Sequence, residues 1–144
     1  MNNNWIVRQV KWETHLAQLH AIRLRVFVEE QGVPESLEWD RHDPNAKHVL
    51  VYEPDGIAVG TGRLLADGRL GRMAVLLPWR RRGVGSTVLL ALLDLARKQQ
   101  SPLVRLHAQR HAIAFYAKHG FKVTSEEFME AGIPHRAMEL KLLP

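Results

Sequence analysis

Cysteine is absent from this 144-residue chain. That absence excludes disulfides, a thiolate nucleophile and a cysteine-built zinc site. Long apolar runs are missing too. The longest, Met73–Trp79 and Val88–Leu93, fall far short of the ~20 residues a membrane-spanning helix needs. Met1 to Val10 lacks the basic region and long apolar core of a signal peptide, so the expectation is a cytoplasmic protein without a membrane partner. There is no internal repeat and no low-complexity tract. No basic helical stripe or nucleic-acid reading motif stands out, so no nucleic-acid partner is expected. Eight histidines invite a metal reading, but no His-x-x-x-His or carboxylate pairing at ligand spacing is expected to serve the strand–helix–strand motif described below, and no metal is expected.

What is present is ordinary in bulk and uneven in detail. The chain is 46% hydrophobic and 24% charged, enough for one packed core, and residues 1–144 are expected to form a single domain. The net charge of +5 and a pI of about 10.0 suggest an anionic partner. The basic residues are spread out except for one knot, Arg80, Arg81 and Arg82.

Periodicity organises the chain. Ile6–Val10 reads as a strand. Leu16, Leu19, Ile22 and Val26 lay an apolar stripe on a helix from His15 to about Val28. The stretch 31–47 is polar, acidic and turn-rich. Three strand-like runs follow, 48–53, 57–65 and 70–77, separated by Asp55-Gly56 and Asp67-Gly68, both hairpin signals. Residues 83–98 read as a buried-faced helix, 103–107 as a strand and 111–118 as a short helix with Gly120 as its C-cap. Val123 and 137–142 look like closing strands. An antiparallel meander thus runs into a strand–helix–strand crossover, so the sheet should be mixed in an α/β (α+β) fold.

The passage from Met73 to Ser86 carries the chemistry. An apolar strand enters a basic turn with glycines at 83 and 85, and the turn opens a helix. The first amides of a helix have no intrahelical acceptor, and the helix dipole adds partial positive charge there. Gly83 and Gly85 let phosphates approach the backbone, and the arginines supply charge. This is a polyphosphate site. A Walker loop is excluded because its lysine is missing, and the dinucleotide fingerprint because only two glycines are present.

Arg80-x-x-Gly83-x-Gly85 resembles the acetyl-CoA signature of the GNAT N-acetyltransferase superfamily. At that family's spacing downstream stands His111-Ala112-x-x-x-Tyr116-x-Lys118-x-Gly120-Phe121. Arg25-Val26-Phe27-Val28-x-Glu30-Gln31, Ala108-Gln109 and Gly132-Ile133-Pro134-His135 look like its ElaA/YjcF-like branch. The resemblance implies a mixed central sheet flanked by helices, whose parallel strands splay apart to admit acetyl-CoA. It implies that Arg81, Arg82, Gly83, Val84, Gly85 and Ser86 give amides to the pyrophosphate, with Arg80 in the first signature position. It implies that Met73, Ala74 and Val75 pair with the pantetheine arm, and that His111 and Lys118 belong to the cofactor side. His111 stands where the family usually has asparagine.

The same resemblance makes Tyr116 the general acid that protonates the departing thiolate. Glu30, Gln31, His107 and His135 are assigned to the acceptor side. Glu38, Asp40, His48 and Glu130 join Glu30, His107 and His135 as candidate general bases. The acidic stretch 31–47 is read as a rim that would attract a cationic amine. A homodimer through edge strands is a further implication. The expected function is acetyl transfer from acetyl-CoA to a primary amine of a small molecule or protein, by direct attack. A non-catalytic acetyl-CoA-binding sensor or assembly module is the alternative, and a nucleic-acid-binding domain ranks last.

Overall fold

The computed structural model describes residues 4–142. Among the described residues there are eight strands, β1 (Ile6–Val10), β2 (Lys47–Tyr52), β3 (Ala58–Leu64), β4 (Leu70–Val75), β5 (Leu103–Gln109), β6 (Lys122–Val123), β7 (Phe128–Glu130) and β8 (Ile133–Lys141). Four α-helices accompany them: α1 (Trp12–Arg23), α2 (Glu35–Glu38), α3 (Val84–Lys98) and α4 (Ile113–Lys118). Strands β1 to β4 form one antiparallel sheet in chain order. In the second, β8 pairs with β5, β6 and β7, again antiparallel.

The two sheets join through β4 and β5, which run parallel across α3. Among the described residues their ladder is a single bridge, Arg69 to Arg105, where the Arg105 amide donates to the Gly68 carbonyl at 3.1 Å. Beyond that point the strands part. The mixed sheet with splayed parallel strands is therefore found. A bulge in β4 accompanies the parting: Thr61 faces Ala74 and Arg63 faces Gly71, so β4 carries an extra residue. Arg72, inside the bulge, has φ of +50°. A bulge of this kind bends its strand and increases its twist.

The core follows the sequence periods. On α3, Val84, Val88, Leu89, Leu92, Leu93 and Ala96 are buried, one face of a 3.6-residue helix. They pack on Val49, Val51, Val59 and Leu64 of the first sheet and on Val104, Leu106 and Ala108 of β5. Leu19, Ile22 and Val26 pack on the opposite face of the first sheet with Val10, Leu50 and Ala74. The first helix differs from the expected one. Leu16 is exposed, His15 breaks the helical dihedrals, and from Leu24 to Glu30 the chain winds into a π-helix. The turn signals hold: Gly56 and Gly68 sit at positive φ, +97° and +91°. Gly120 closes α4 in a Schellman arrangement, with Phe121 N–H donating to Tyr116 O and Gly120 N–H to Ala117 O.

The approach of α3 to β3 requires small residues. A Cβ on Gly60 would stand 2.6 Å from Val84 Cγ1. Gly60→Ala is expected to lower stability by about 1–3 kcal/mol through overpacking, read as a fall in Tm of about 3–10 °C. An unchanged Tm would show that α3 shifts freely.

Candidate active site

A cavity of about 1840 Å³ opens where β4 and β5 separate. Strand alternation divides its walls. Met73 and Val75 pack with the α3 cluster, whereas Ala74, and with it Arg72, faces the α1 side. On β5, Val104, Leu106 and Ala108 are buried toward α3, which sends Arg105, His107 and Gln109 to the other face. Gln109 and His135 are cross-strand partners, so His135 shares that face. One side of the splay is thus built from α3, α4 and the basic turn. The other is built from the π-helix, stretch 31–47 and the β5–β7–β8 sheet.

On the first side, the turn before α3 has the backbone of an anion site. Arg81 at φ +63° and Gly83 at +84° are left-handed, a pattern that turns successive amides toward one concavity. Helix α3 has no side-chain N-cap, so its first amides are not used by the protein's own side chains. Gly85 is helical and has room: a Cβ there would stand 3.6 Å from Phe115 and 4.0 Å from Val75. Packing does not demand glycine at 85, and the backbone there is left open to the cavity. These features fit a pyrophosphate. The inner edge of β4 beyond Arg69 has no strand partner among the described residues, which leaves it open to an extended ligand.

Arg80 is engaged within the protein. Its guanidinium holds Glu30 at 2.5 and 2.7 Å, and its Nε donates to Val75 O at 2.8 Å. The hydrogen bond and charge of Arg80 keep the Glu30 carboxyl below its usual pKa. Arg80 is thus a brace between the end of β4 and the π-helix, and its charge is already matched. Glu30 is engaged in the same ion pair. A π-helical segment is a frequent way to place a functional side chain off the α-helical register; here it brings Glu30 and Gln31 to the cavity, and Gln109 donates to Gln31 at 2.9 Å.

Tyr116 also faces the cavity. Its ring lies edge-on to Phe115 (5.1 Å) and Phe121 (5.8 Å), and its hydroxyl meets Met73 Sδ at 3.4 Å. Burial pushes its pKa up to about 12. His111 lines the cavity, as do Arg81, Gly83, Gly85, Ser86, Met73, Ala74 and Val75. The side chains of Arg82 and Val84 do not line it: Arg82 is exposed and gives its carbonyl to Trp5 Nε1, and Val84 is in the core. Lys118 is exposed and away from the lining, and its neighbour His119 instead meets Ser86 Oγ at 3.2 Å.

On the second side, three residues far apart in sequence converge. His107 Nδ1 is 2.8 Å from Glu130 Oε1, and His135 Nε2 is 3.8 Å from Glu130 Oε2. Phe128 stacks on His135 and meets His107 edge-on. Contrary to the expectation of no such spacing, His107 and His111 do stand as His-x-x-x-His, which brings two ligands together on a helix. His107 lies in β5 and His111 in a 3₁₀ turn, so they do not share a helix face. Among the described residues no three His, Asp or Glu side chains are grouped to hold a metal ion.

The acidic rim is overturned. Glu38 and Asp43 are buried, not solvated, and both hold Arg23. Asp43 also takes Arg63 at 2.8 Å, and Asp40 takes Arg63 at 2.7 Å and Arg72 at 3.2 Å. Burial would raise the Asp40 and Asp43 carboxyls, but the hydrogen bonds and charges of these arginines outweigh it and hold both below the usual carboxylate range. His48, buried against the Asp43 carbonyl, is pushed down by burial. Glu38, Asp40, Asp43 and His48 are thereby structural. Of the candidate bases, His107, Glu130 and His135 face the cavity without an ion pair to arginine, and they hold one another through the Glu130 carboxylate.

Residues 13–142 match the acetyltransferase (GNAT) domain family. The chain is 40% identical over 132 residues to the uncharacterised N-acetyltransferase YjcF of Bacillus subtilis (strain 168), covering 89% of this chain and 94% of that one. Escherichia coli ElaA superposes with a TM-score of 0.82 at 27% identity, covering 93% of this chain and 98% of that one. An acyl-CoA N-acyltransferase from Pseudomonas aeruginosa superposes at 0.81 with 28% identity, covering 94% and 97%. No helix among the described residues is long and apolar enough to cross a membrane. The chain belongs to the GNAT acetyltransferase family, in its ElaA/YjcF-like branch, and is an acyltransferase enzyme.

Proposed function

We propose that the chain transfers an acetyl group from acetyl-CoA to a primary amine by direct attack within the splay. One observation carries this reading: the anion-binding turn and the Tyr116 hydroxyl face the same cavity as His107, from opposite sides of the parted strands. Amides from Arg81 to Ser86 hold the pyrophosphate, and the free edge of β4 at Met73–Val75 aligns the pantetheine arm. A β4 amide on that edge stabilises the charge that develops on the thioester oxygen. His111 serves the cofactor side.

His107 removes the proton from the incoming amine. Glu130 accepts from its Nδ1–H, which leaves Nε2 as the proton acceptor. His135 and Glu130 orient it. Tyr116 gives its proton to the departing sulfur, so one proton enters at His107 and one leaves at Tyr116. Gln31 and Glu30 complete the acceptor wall.

Titration calorimetry with coenzyme A, followed by thiol-release assays with primary amines, tests the proposal. Gly85→Leu supplies the control. Its side chain is expected to weaken coenzyme A binding at least tenfold while leaving Tm within a few degrees, because a Cβ there makes only ordinary contacts with Phe115 and Val75 and the rest of the side chain can extend into the open cavity. Full affinity in Gly85→Leu would move the cofactor elsewhere.

A further inference from the structure

The acceptor side carries more arginine than its carboxylates can match. In and behind the walls formed by stretch 31–47, β4 and β5 stand six guanidinium groups, Arg23, Arg41, Arg63, Arg69, Arg72 and Arg105, of which Arg23 is buried behind the lining. Four carboxylates form ion pairs with them. Glu38, Asp40 and Asp43 serve Arg23, Arg63 and Arg72, as described above. Asp67 alone serves both Arg69, at 3.0 Å, and Arg105, at 3.6 Å. Arg41 follows Asp40 directly, lines the cavity, is exposed, and has no hydrogen-bond or ion-pair partner among the described residues.

The excess has a defined place. Arg105 lies two residues from His107 on the same face of β5, about 7 Å along the strand. Arg72 precedes Met73, which the Tyr116 hydroxyl touches, and its left-handed bulge conformation is costly for a side chain of its size. The guanidinium there donates to Glu38 O, Leu37 O and Asp40 and is still 28% exposed to the cavity. The other carboxylates of the lining stand on the second sheet: Glu130 on β7, held by the two histidines, and Glu139 on β8, the cross-strand neighbour of Arg105. Guanidinium groups thus gather from β4 and stretch 31–47 to Arg105 on β5, and imidazole with carboxylate stands beside them at His107, His135 and Glu130.

We infer that the acceptor is an amine that also carries a carboxylate, an amino-acid-like molecule whose anionic group is held by Arg41, Arg72 and Arg105 while its amine reaches His107. The inference rests on the acetyltransferase reading above and adds the class of acceptor to it. A bidentate guanidinium–carboxylate contact supplies both attraction and orientation. A polycation would meet uncompensated charge on the same wall.

The test compares matched pairs. Glycine, aspartate, glutamate, methionine and phenylalanine are each assayed beside their carboxamides, with spermidine as the polycation, by thiol release and by calorimetry on the coenzyme A-bound protein. At least one free acid is expected to exceed its carboxamide tenfold or more in kcat/KM. Arg41→Gln, at an exposed site outside the buried ion network, is expected to raise KM for that acid about tenfold and leave its carboxamide unchanged. Arg105→Gln should act in the same direction. Carboxamides or spermidine that match or exceed every free acid, a KM untouched by both variants, or binding and acetylation of no acid overturns the inference. Failure of coenzyme A itself to bind would instead remove the acetyltransferase reading. Coenzyme A binding with acetylation of neutral amines removes only the acceptor class.

Discussion

Tyr116→Phe is expected to turn over about a hundredfold more slowly at saturating acceptor, with coenzyme A affinity unchanged. General acid catalysis contributes roughly 10²–10⁴-fold. The low end applies because a thiolate, with a conjugate acid pKa near ~8.5, is already a fair leaving group. A hundredfold loss corresponds to about 2.7 kcal/mol of transition-state stabilisation. The structural cost of the change is small. The hydroxyl's hydrogen bond is to Met73 Sδ, a weak acceptor, and the ring contacts with Phe115 and Phe121 survive. Burial raises the pKa to about 12, so the hydroxyl remains protonated across the working range. It can therefore give a proton but cannot serve as the base near neutral pH. The wild-type enzyme should show no descending limb from Tyr116 until pH approaches that value. Steady-state kinetics and calorimetry on both proteins decide the matter: equal turnover with every acceptor would exclude Tyr116 from proton transfer.

The elements that were legible in the sequence are those with local causes. Helix α3 announces itself through Val84, Val88, Leu89, Leu92 and Leu93, and the hairpins through Asp55-Gly56 and Asp67-Gly68. The turn at 80–86 is readable because the chain writes strand, basic residues, glycines and helix consecutively. What was not readable depends on residues meeting over long separations. The acids between 31 and 47 look solvated until Arg23 and Arg63 fold onto them. One signal was available: Arg23 sits four residues after Leu19 and three before Val26, on the apolar stripe of its own helix, where a charge must find a partner. Glu30 meets Arg80 across 50 positions, and His107 meets Glu130 across 23, with no local pattern to mark either. The π-helix and the three-residue β7 are below the length at which periodicity speaks.

Asp43→Asn tests the network that these long-range meetings build. Asp43 is 1% exposed and accepts from Arg23 at 2.9 and 3.0 Å, from Arg63 at 2.8 Å and from the Asp40 amide at 3.2 Å. The change keeps the shape and removes the charge. It leaves two guanidinium groups facing an amide, which cannot accept as a carboxylate does and adds donors where donors already point. Breaking a buried ion pair by removing one partner costs about 3–5 kcal/mol. A domain stable by only about 5–15 kcal/mol would then unfold at a much lower denaturant midpoint. The pH dependence carries the same signature. A carboxyl whose folded pKa lies below its unfolded value near ~3.9 gives its stabilisation in full above that value and loses it as pH falls. Asp40 and Asp43 both behave so, and wild-type stability should decline steeply below about pH 4. His48 adds an earlier, shallower decline. Its folded pKa is lowered by burial, so only the unfolded chain takes a proton as pH drops below its ordinary value of 6.5. In Asp43→Asn the step near His48 remains and the acid limb shrinks. Denaturant titrations between pH 2.5 and 8 separate these components. A variant within about 1 kcal/mol of the wild type, with its acid limb intact, would mean that solvent replaces the carboxylate at no cost. The arginines of the acceptor wall would then owe their positions to backbone alone.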